Sequence, residues 1–331
     1  MSFRKVGVGL YGSAGHQIQA ELLEHSGLWP VAYAAFETGK VPEEYTSAGV
    51  PEAADLDALL ANPEVELISF CSPRKDEQGE HILRALEAGK HVLAEKPCCM
   101  DEAVLDRILQ TAVRTGRVFH EMGAGMLTPP YNGMAELLSE GILGEILQVF
   151  VQKSYPWSDW RPRDERVDGG LSLQVAVYVA RFAEHVAGLR IASMDRRETR
   201  LGNRGEGDDC KRAVSFLMTF ENGAVGSGIA NYACPPSPGW GNWGYETLRV
   251  FGEKGFVESI DAGRIVTLAR VGYEPVSLPP SPPPPSQLDA VVREIREGVP
   301  ANPISPEARL SPTRWVLRAK KASHSKNKEN S

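Results

Sequence analysis

The first 123 residues carry a rhythm that leaves few folds open. Apolar runs "KVGVGL", "PVAYAAF", "VELISFC", "HVLAE" and "RVFHEM" recur along them, with stretches of helical spacing between most neighbours. Ile82 and Leu86 share one helix face, as do Leu105, Ile108, Leu109 and Ala112. Gly89 and Gly116 stand where helices should stop, and Asp101 where one should start. Short strands alternating with helices predict a parallel sheet with helices on both faces.

Beyond about residue 123 the rhythm changes. "YNGMAELLSEG" reads as a helix, "ILQVFVQKS" as a strand and residues 170–187 as a second helix. Six strand-like runs follow: "RIASMDRRETR", "RAVSFLMTF", "GAVGSGIANYA", "ETLRVFG", "GFVESID" and "RIVTLAR", with turn signals "ENG" and "GEKG". Successive strands without crossover helices predict a mainly antiparallel sheet, hence an α+β domain after an α/β one. The expected division is 1–123, 124–318 and a flexible tail at 319–331, where "KKASHSKNKENS" is polar and lysine-rich and Pro312 interrupts the preceding helical stretch. The run "LPPSPPPPS" cannot join a sheet ladder and should be an extended spacer.

At 331 residues the chain can form about two cores. With 36 basic and 43 acidic residues it is net -7, which gives no electrostatic footprint for nucleic acid and favours small-molecule or protein partners. No run approaches the roughly 20 apolar residues of a membrane span, and the first residues lack a secretory pattern. The five cysteines form no CxxC pair, no disulfide framework and no zinc-ligand spacing, so no metal is expected. A cytoplasmic location is the expectation.

The first strand leads into "GLYGSAGHQI". Gly12 and Gly15 fill the second and third places of a G-x-G-x-x-G turn, while Leu10 occupies the first and Gly9 lies one residue early. Such a turn lets backbone approach a pyrophosphate, which assigns Gly12, Ser13, Ala14 and Gly15 to a dinucleotide. Glu37 is the nearest carboxylate to the end of the second strand. It would meet a ribose hydroxyl and repel a 2′-phosphate, favouring NAD over NADP, or else be a solvated loop residue.

"HVLAEKP" ends an apolar strand with Glu95 and Lys96 against Pro97. In an open parallel sheet this is the ligand-binding edge, and the proline restricts Lys96 to extended backbone. A lysine there can polarise a substrate oxygen; a solvated ion pair is the plain alternative. "YPWSDWRPRDER" combines Trp157, Trp160, Arg161 and Arg163, a mix suited to a sugar face and its hydroxyls or a carboxylate, or to an interface loop. His120 and Glu121 close the fifth strand at the same functional edge, and vicinal Cys98 and Cys99 read as buried thiols.

The run "ANPEVELISFCSP…HILRALEAGKHVLAEKP", followed in order by "LLSEGILGEILQV", "WRPRDERVDGG", "FENGAVG" and "VFGEKGFVE", resembles the Gfo/Idh/MocA family over about residues 4–270. The resemblance implies a Rossmann domain, then a domain with a large, mainly antiparallel sheet that often makes oligomer contacts. It implies hydride transfer between NAD or NADP and a sugar or polyol carbon. By the match Lys96 is the catalytic lysine, Ser72, Pro73 and Glu95 contact cofactor, and Trp160 and Arg161 lie near cofactor and substrate. Met126 and Leu127 stand where the family often carries arginine and phenylalanine.

The second-domain motif departs from the family pattern. In "GGLSLQVAVYVAR", Gln174 replaces an aspartate, Ala176 a glycine, Tyr178 a histidine and Arg181 a second aspartate. Spacing of four puts Gln174 and Tyr178 on one helix face. Tyr178 is then either an acid/base, which at a phenol pKa near 10 needs cationic neighbours, or a packed helix tyrosine. The leading expectation is an NAD(P)-dependent oxidoreductase of a sugar, polyol or related hydroxy compound, acting as a homodimer or homotetramer through the second sheet. The altered motif leaves open a dinucleotide-binding sensor or regulator, and an NAD-assisted glycoside hydrolase or lyase.

Overall fold

The computed structural model describes residues 4–125, 127–203, 210–240, 244–300 and 304–329, with side chains described through Ala322. The chain forms two compact units, Met1–Ala124 with Arg166–Asp168 and Pro285–Leu310, and Gly125–Glu165 with Gly169–Pro284 and Ser311–Ser331.

In the first unit β1 (Val6–Tyr11), β2 (Leu28–Ala34), β3 (Leu67–Phe70), β4 (His91–Ala94) and β5 (Phe119–Glu121) form one parallel sheet in the order β2-β1-β3-β4-β5. They alternate with α1 (Gln19–Glu24), α2 (Glu43–Ser47), α3 (Leu56–Ala61), α4 (Lys75–Glu87) and α5 (Glu102–Thr115). This is the α/β arrangement that the alternating pattern predicts. The period-two sequence of β1 explains both of its faces. Val6, Val8 and Leu10 point into a core shared with Leu22, Leu28, Leu67, Leu93 and Val291, each such side chain stabilising the fold by about 1.5–3 kcal/mol. Gly7 points the other way, where a Cβ would stand 2.0 Å from the Glu64 carbonyl oxygen. Asp101 caps α5 by accepting from the Ala103 N–H at 2.8 Å, and Gly116 ends it in the left-handed region at φ 65°.

The second unit holds α6 (Tyr131–Ser139) and β6 (Ile146–Pro156). After the short α7 (Glu165–Asp168) comes a helical stretch in which α8 (Val177–Arg181) lies between π-helical turns at Ser172–Ala176 and Phe182–Val186. Then follow β7 (Ile191–Thr199), β8 (Ala213–Phe220), β9 (Val225–Cys234), β10 (Tyr245–Gly252), β11 (Gly255–Ile260), β12 (Ile265–Arg270) and β13 (Val276–Ser277). Their order is β13-β12-β11-β10-β6-β9-β8-β7, with β6 and β9 parallel and the other pairs antiparallel. The expected large, mainly antiparallel sheet is therefore present.

The inner face of that sheet is covered by the helical stretch. Val149, Val151, Lys153 and Tyr155 of β6 alternate onto this buried face. Gly228 of β9 lets α8 approach, since a Cβ there would meet Val179 Cγ1 at 2.2 Å.

Residues 278–286 form neither helix nor strand, and Asn132 Nδ2 donates to the Pro282 carbonyl at 2.7 Å. The chain then adds α9 (Gln287–Glu297) to the first unit, where Arg296 grips Glu66 with two bonds of 2.8 and 2.9 Å. Pro312 lies inside α10 (Pro306–Glu329) and does not interrupt it. The helix is held around the proline by buried Leu310, Thr313, Val316 and Leu317, which offset the lost backbone bond.

Candidate functional site

In the first unit the sheet order reverses between β1 and β3, and parallel open sheets bind ligands outside the carboxyl ends at such a point. The glycine turn lies there. Leu10, at the missing first glycine, is still inside β1 and fully buried, so the turn begins only at Gly12, with φ 73°. Three bonds fasten it: Gly12 N–H to the Ala34 carbonyl at 2.9 Å, Ala14 N–H to the Cys71 carbonyl at 3.0 Å, and Gln17 Nε2 to the Gly12 carbonyl at 2.8 Å. The Ser13 hydroxyl accepts from Glu37 N–H at 2.9 Å, tying the end of β2 to the turn and leaving the Glu37 side chain exposed.

Beneath the turn lies Glu95. Gly15 has φ 124°, and a Cβ on it would stand 2.7 Å from Glu95 Cγ. Burial pushes the Glu95 carboxyl up, but the hydrogen bond with His16 and the ammoniums of Lys96 and Lys75 outweigh it and hold the group below its ordinary value. The charges that end the "HVLAEKP" strand are thus a buried, balanced group. Lys96 is 6% exposed, and the Lys96–Pro97 peptide is cis. Gln78 Nε2 donates to the carbonyls on either side of Lys96, Glu95 O at 2.6 Å and Pro97 O at 2.8 Å, while Gln78 Oε1 accepts from Ser72 N–H and Lys75 Nζ. Desolvation lowers the proton affinity of buried Lys75.

In the second unit Tyr178 is half-buried on α8, as is Gln174 on the preceding π turn, among neighbours that are buried. Lys153 Nζ lies 5.0 Å from the centre of the Tyr178 ring and Arg181 Cζ 5.5 Å from it. The Tyr178 side chain is hydrogen-bonded to Tyr155. Burial first, then Tyr178, pushes the Tyr155 hydroxyl well above its ordinary value, so Tyr155 keeps its proton. Glu246 of β10 pairs with Lys153 and accepts from Tyr131 Oη at 2.7 Å. Arg161 lies beside this group, its Cζ 4.5 Å from the Tyr232 ring, 5.2 Å from Trp160 and 5.8 Å from Tyr155.

The "Oxidoreductase family, NAD-binding Rossmann fold" model for Gfo/Idh/MocA proteins matches residues 4–122, and the model of that family's C-terminal domain matches residues 131–258. The chain belongs to the Gfo/Idh/MocA family. It is 28% identical to an uncharacterized oxidoreductase of Rhizobium meliloti over 52% of each chain, so it spans about half the length of that curated relative. It is 27% identical, over 72% of this chain and 71% of the other, to dTDP-3,4-didehydro-2,6-dideoxy-alpha-D-glucose 3-reductase of Saccharopolyspora spinosa. The aldose-aldose oxidoreductase of Caulobacter crescentus superposes with a TM-score of 0.79 at 20% identity, covering 97% of this chain and 98% of its own. At that identity the likeness is one of fold.

For a Gfo/Idh/MocA protein the residues present fit a dinucleotide. The turn at Gly12–Gly15 presents backbone at the switch point, and its third glycine leaves no room for a side chain. Other residues singled out from the sequence have mainly structural partners. The Ser72 hydroxyl is buried against His81 at 3.1 Å, and Pro73 is exposed. His120 is bound by Glu294 at 2.8 Å and Arg309 at 3.0 Å, and Glu121 accepts from the Cys98 N–H. Cys98 and Cys99 are buried free thiols. Trp160 is 77% exposed, and Met126 lies outside the described residues. Gln78, Lys153 and Tyr155 escaped the sequence reading. Each left the same signal, a polar group in a core-facing register: Gln78 four residues before Ile82, Lys153 and Tyr155 two and four after Val151.

Proposed function

We propose that the protein is an NAD(P)-dependent oxidoreductase that transfers hydride between the nicotinamide and a CH–OH carbon of a sugar, polyol or related compound. The observation that carries this reading is the Gln78 clamp, which holds the carbonyls of Glu95 and Pro97 on either side of Lys96. Gly12, Ser13, Ala14 and Gly15 hold the pyrophosphate, and Glu37 takes the adenosine ribose, which favours NAD over NADP. When bound, the dinucleotide supplies the hydride acceptor or donor. Lys96 holds and polarises the reacting oxygen. Tyr178 takes the hydroxyl proton in oxidation and returns it in reduction. Lys153 and Arg181 lie against the ring of that phenol, and Tyr155, which stays protonated, can donate to it.

The test is a screen of sugars and polyols with NAD and NADP, read at the nicotinamide absorbance, followed by Lys96→Ala. The variant is expected to lose about 10²–10⁴-fold in kcat with dinucleotide affinity nearly unchanged. Wild-type turnover in Lys96→Ala would remove Lys96 from the chemistry.

The assembly belongs to the same reading. The outer face of the second sheet presents Phe150, Leu217, Val225, Ile229, Phe251 and Phe256 in adjoining registers, with Leu217 68% exposed and Val225 48%. Such a face favours a homodimer or homotetramer.

A further inference from the structure

Cations in the second unit generally have acidic partners: Lys153 has Glu246, Arg249 has Glu258, Arg190 has Glu221 and Arg264 has Asp261. Arg161 differs. Among the described residues its guanidinium makes neither an ion pair nor a hydrogen bond, and its Nε is enclosed with no acceptor. Asp159, two residues earlier, accepts instead from Trp157 Nε1 at 3.3 Å. What surrounds Arg161 is aromatic: Tyr232, Trp160 and Tyr155. The residue is held in place by its backbone, whose N–H donates to the Ser158 carbonyl at 3.0 Å. Stacking offsets part of the cost of desolvating a cation, yet it leaves the planar fork of N–H donors unused.

We propose that the substrate carries a carboxylate, as a sugar acid or a carboxylated polyol does, and that Arg161 receives it while the aromatic rings meet the apolar face of the substrate. This rests on the oxidoreductase reading for the chemistry, and on the unpaired guanidinium for the charge. Tyr155 links the two parts, with its ring beside Arg161 and its hydroxyl bonded to Tyr178. One phenol therefore separates the anchor from the group assigned to the proton. A planar guanidinium matches a carboxylate with two parallel bonds. Lys153 also lies over the Tyr155 ring, 5.3 Å from its centre, but Glu246 neutralises it, which leaves one unneutralised guanidinium; that suits a monoanion better than a phosphate, which recruits several donors.

The experiment is calorimetric titration of the full chain, with NAD and with NADP present, by D-glucuronate, D-galacturonate and D-gluconate. D-glucose, D-galactose and D-glucitol are the neutral counterparts, and glucose-6-phosphate is the rival anion. At least one acid is expected to bind about tenfold tighter than its counterpart. Arg161→Met should erase that preference and Arg161→Lys retain part of it, and in the wild type added salt should weaken the acid but not the neutral sugar. The proposal is overturned if no acid is preferred, if the phosphate is preferred to the acids, or if the preference survives in Arg161→Met. Turnover is followed in parallel. Turnover of neutral substrates alone leaves the redox reading standing and removes the carboxylate; an acid that binds without cofactor reduction does the reverse.

Discussion

An ammonium on the inner face of a sheet needs a counter-charge, and Lys153 has one in Glu246, which also takes the Tyr131 hydroxyl. The pair leaves Lys153 over the Tyr178 ring, with Arg181 of α8 against the same ring and Tyr155 bonded to the phenol. Removing both charges in Lys153→Met with Glu246→Gln avoids stranding a buried carboxylate. With the ammonium gone from the face of the phenol, kcat for oxidation is expected to fall about tenfold or more while dinucleotide affinity is retained. An unchanged kcat would mean that Lys153 does not act through Tyr178. Gln78 acts on Lys96 in a comparable way, through its backbone. Gln78→Glu keeps the size and the acceptor for Ser72 N–H and Lys75 Nζ but removes the donor to the carbonyls of Glu95 and Pro97; kcat is expected to fall about 10-fold or more with dinucleotide affinity retained. Equal losses in both would instead mark a general collapse of the turn.

At the scale of elements, the helical stretch that carries Tyr178 is stabilised by tertiary packing more than by its own propensity. Its two π turns flank α8, and Val175, Val177 and Val179 are buried. Glu184 lies on the second π turn, accepting from Ile191 N–H at 3.2 Å and from the Ser311 hydroxyl of α10 at 3.0 Å. Burial pushes its carboxyl up to about 7 from an ordinary 4.5, against those two bonds. The folded chain therefore holds this proton more tightly than the unfolded one. The associated stability is full below about 4.5 and is lost as pH rises through about 7. Glu184→Gln keeps an acceptor without the charge, and it should be near neutral at low pH and stabilising by about 1–3 kcal/mol in mildly alkaline solution. Denaturant unfolding at the two pH values measures this. A variant whose stability falls with pH as steeply as the wild type would clear Glu184 of the effect.

For the whole molecule, the proposed assembly uses the outer face of the second sheet. Leu217 is 68% exposed and, through the β8–β9 and β6–β9 registers, lies near Phe150 and Ile229. A charge at its centre opposes burial against a second copy, so Leu217→Glu is expected to shift the light-scattering mass towards the 36.1 kDa of one chain with little change in thermal midpoint. A wild-type protein that already scatters as one chain would show that this face is not an interface.

Features local in the chain are legible in its residues alone. The strand and helix alternation up to Glu121, the Asp101 cap, the Gly116 stop and the mainly antiparallel second sheet follow from hydrophobic period and turn chemistry. The position of Lys96 at a strand end also followed, since Pro97 and the preceding apolar run are its neighbours. What those side chains meet depends on segments far away in the chain. Lys153 and Glu246 are 93 residues apart and pair because β6 is inserted between β10 and β9. Gln78 reaches the Lys96 peptide because β3 and β4 are adjacent and α4 packs over them. Arg161 lies beside Tyr232 because β9 runs parallel to β6. Hydrophobic spacing records which face of an element is buried, whereas strand order and register, set by the packing of the whole sheet, choose the partners on that face.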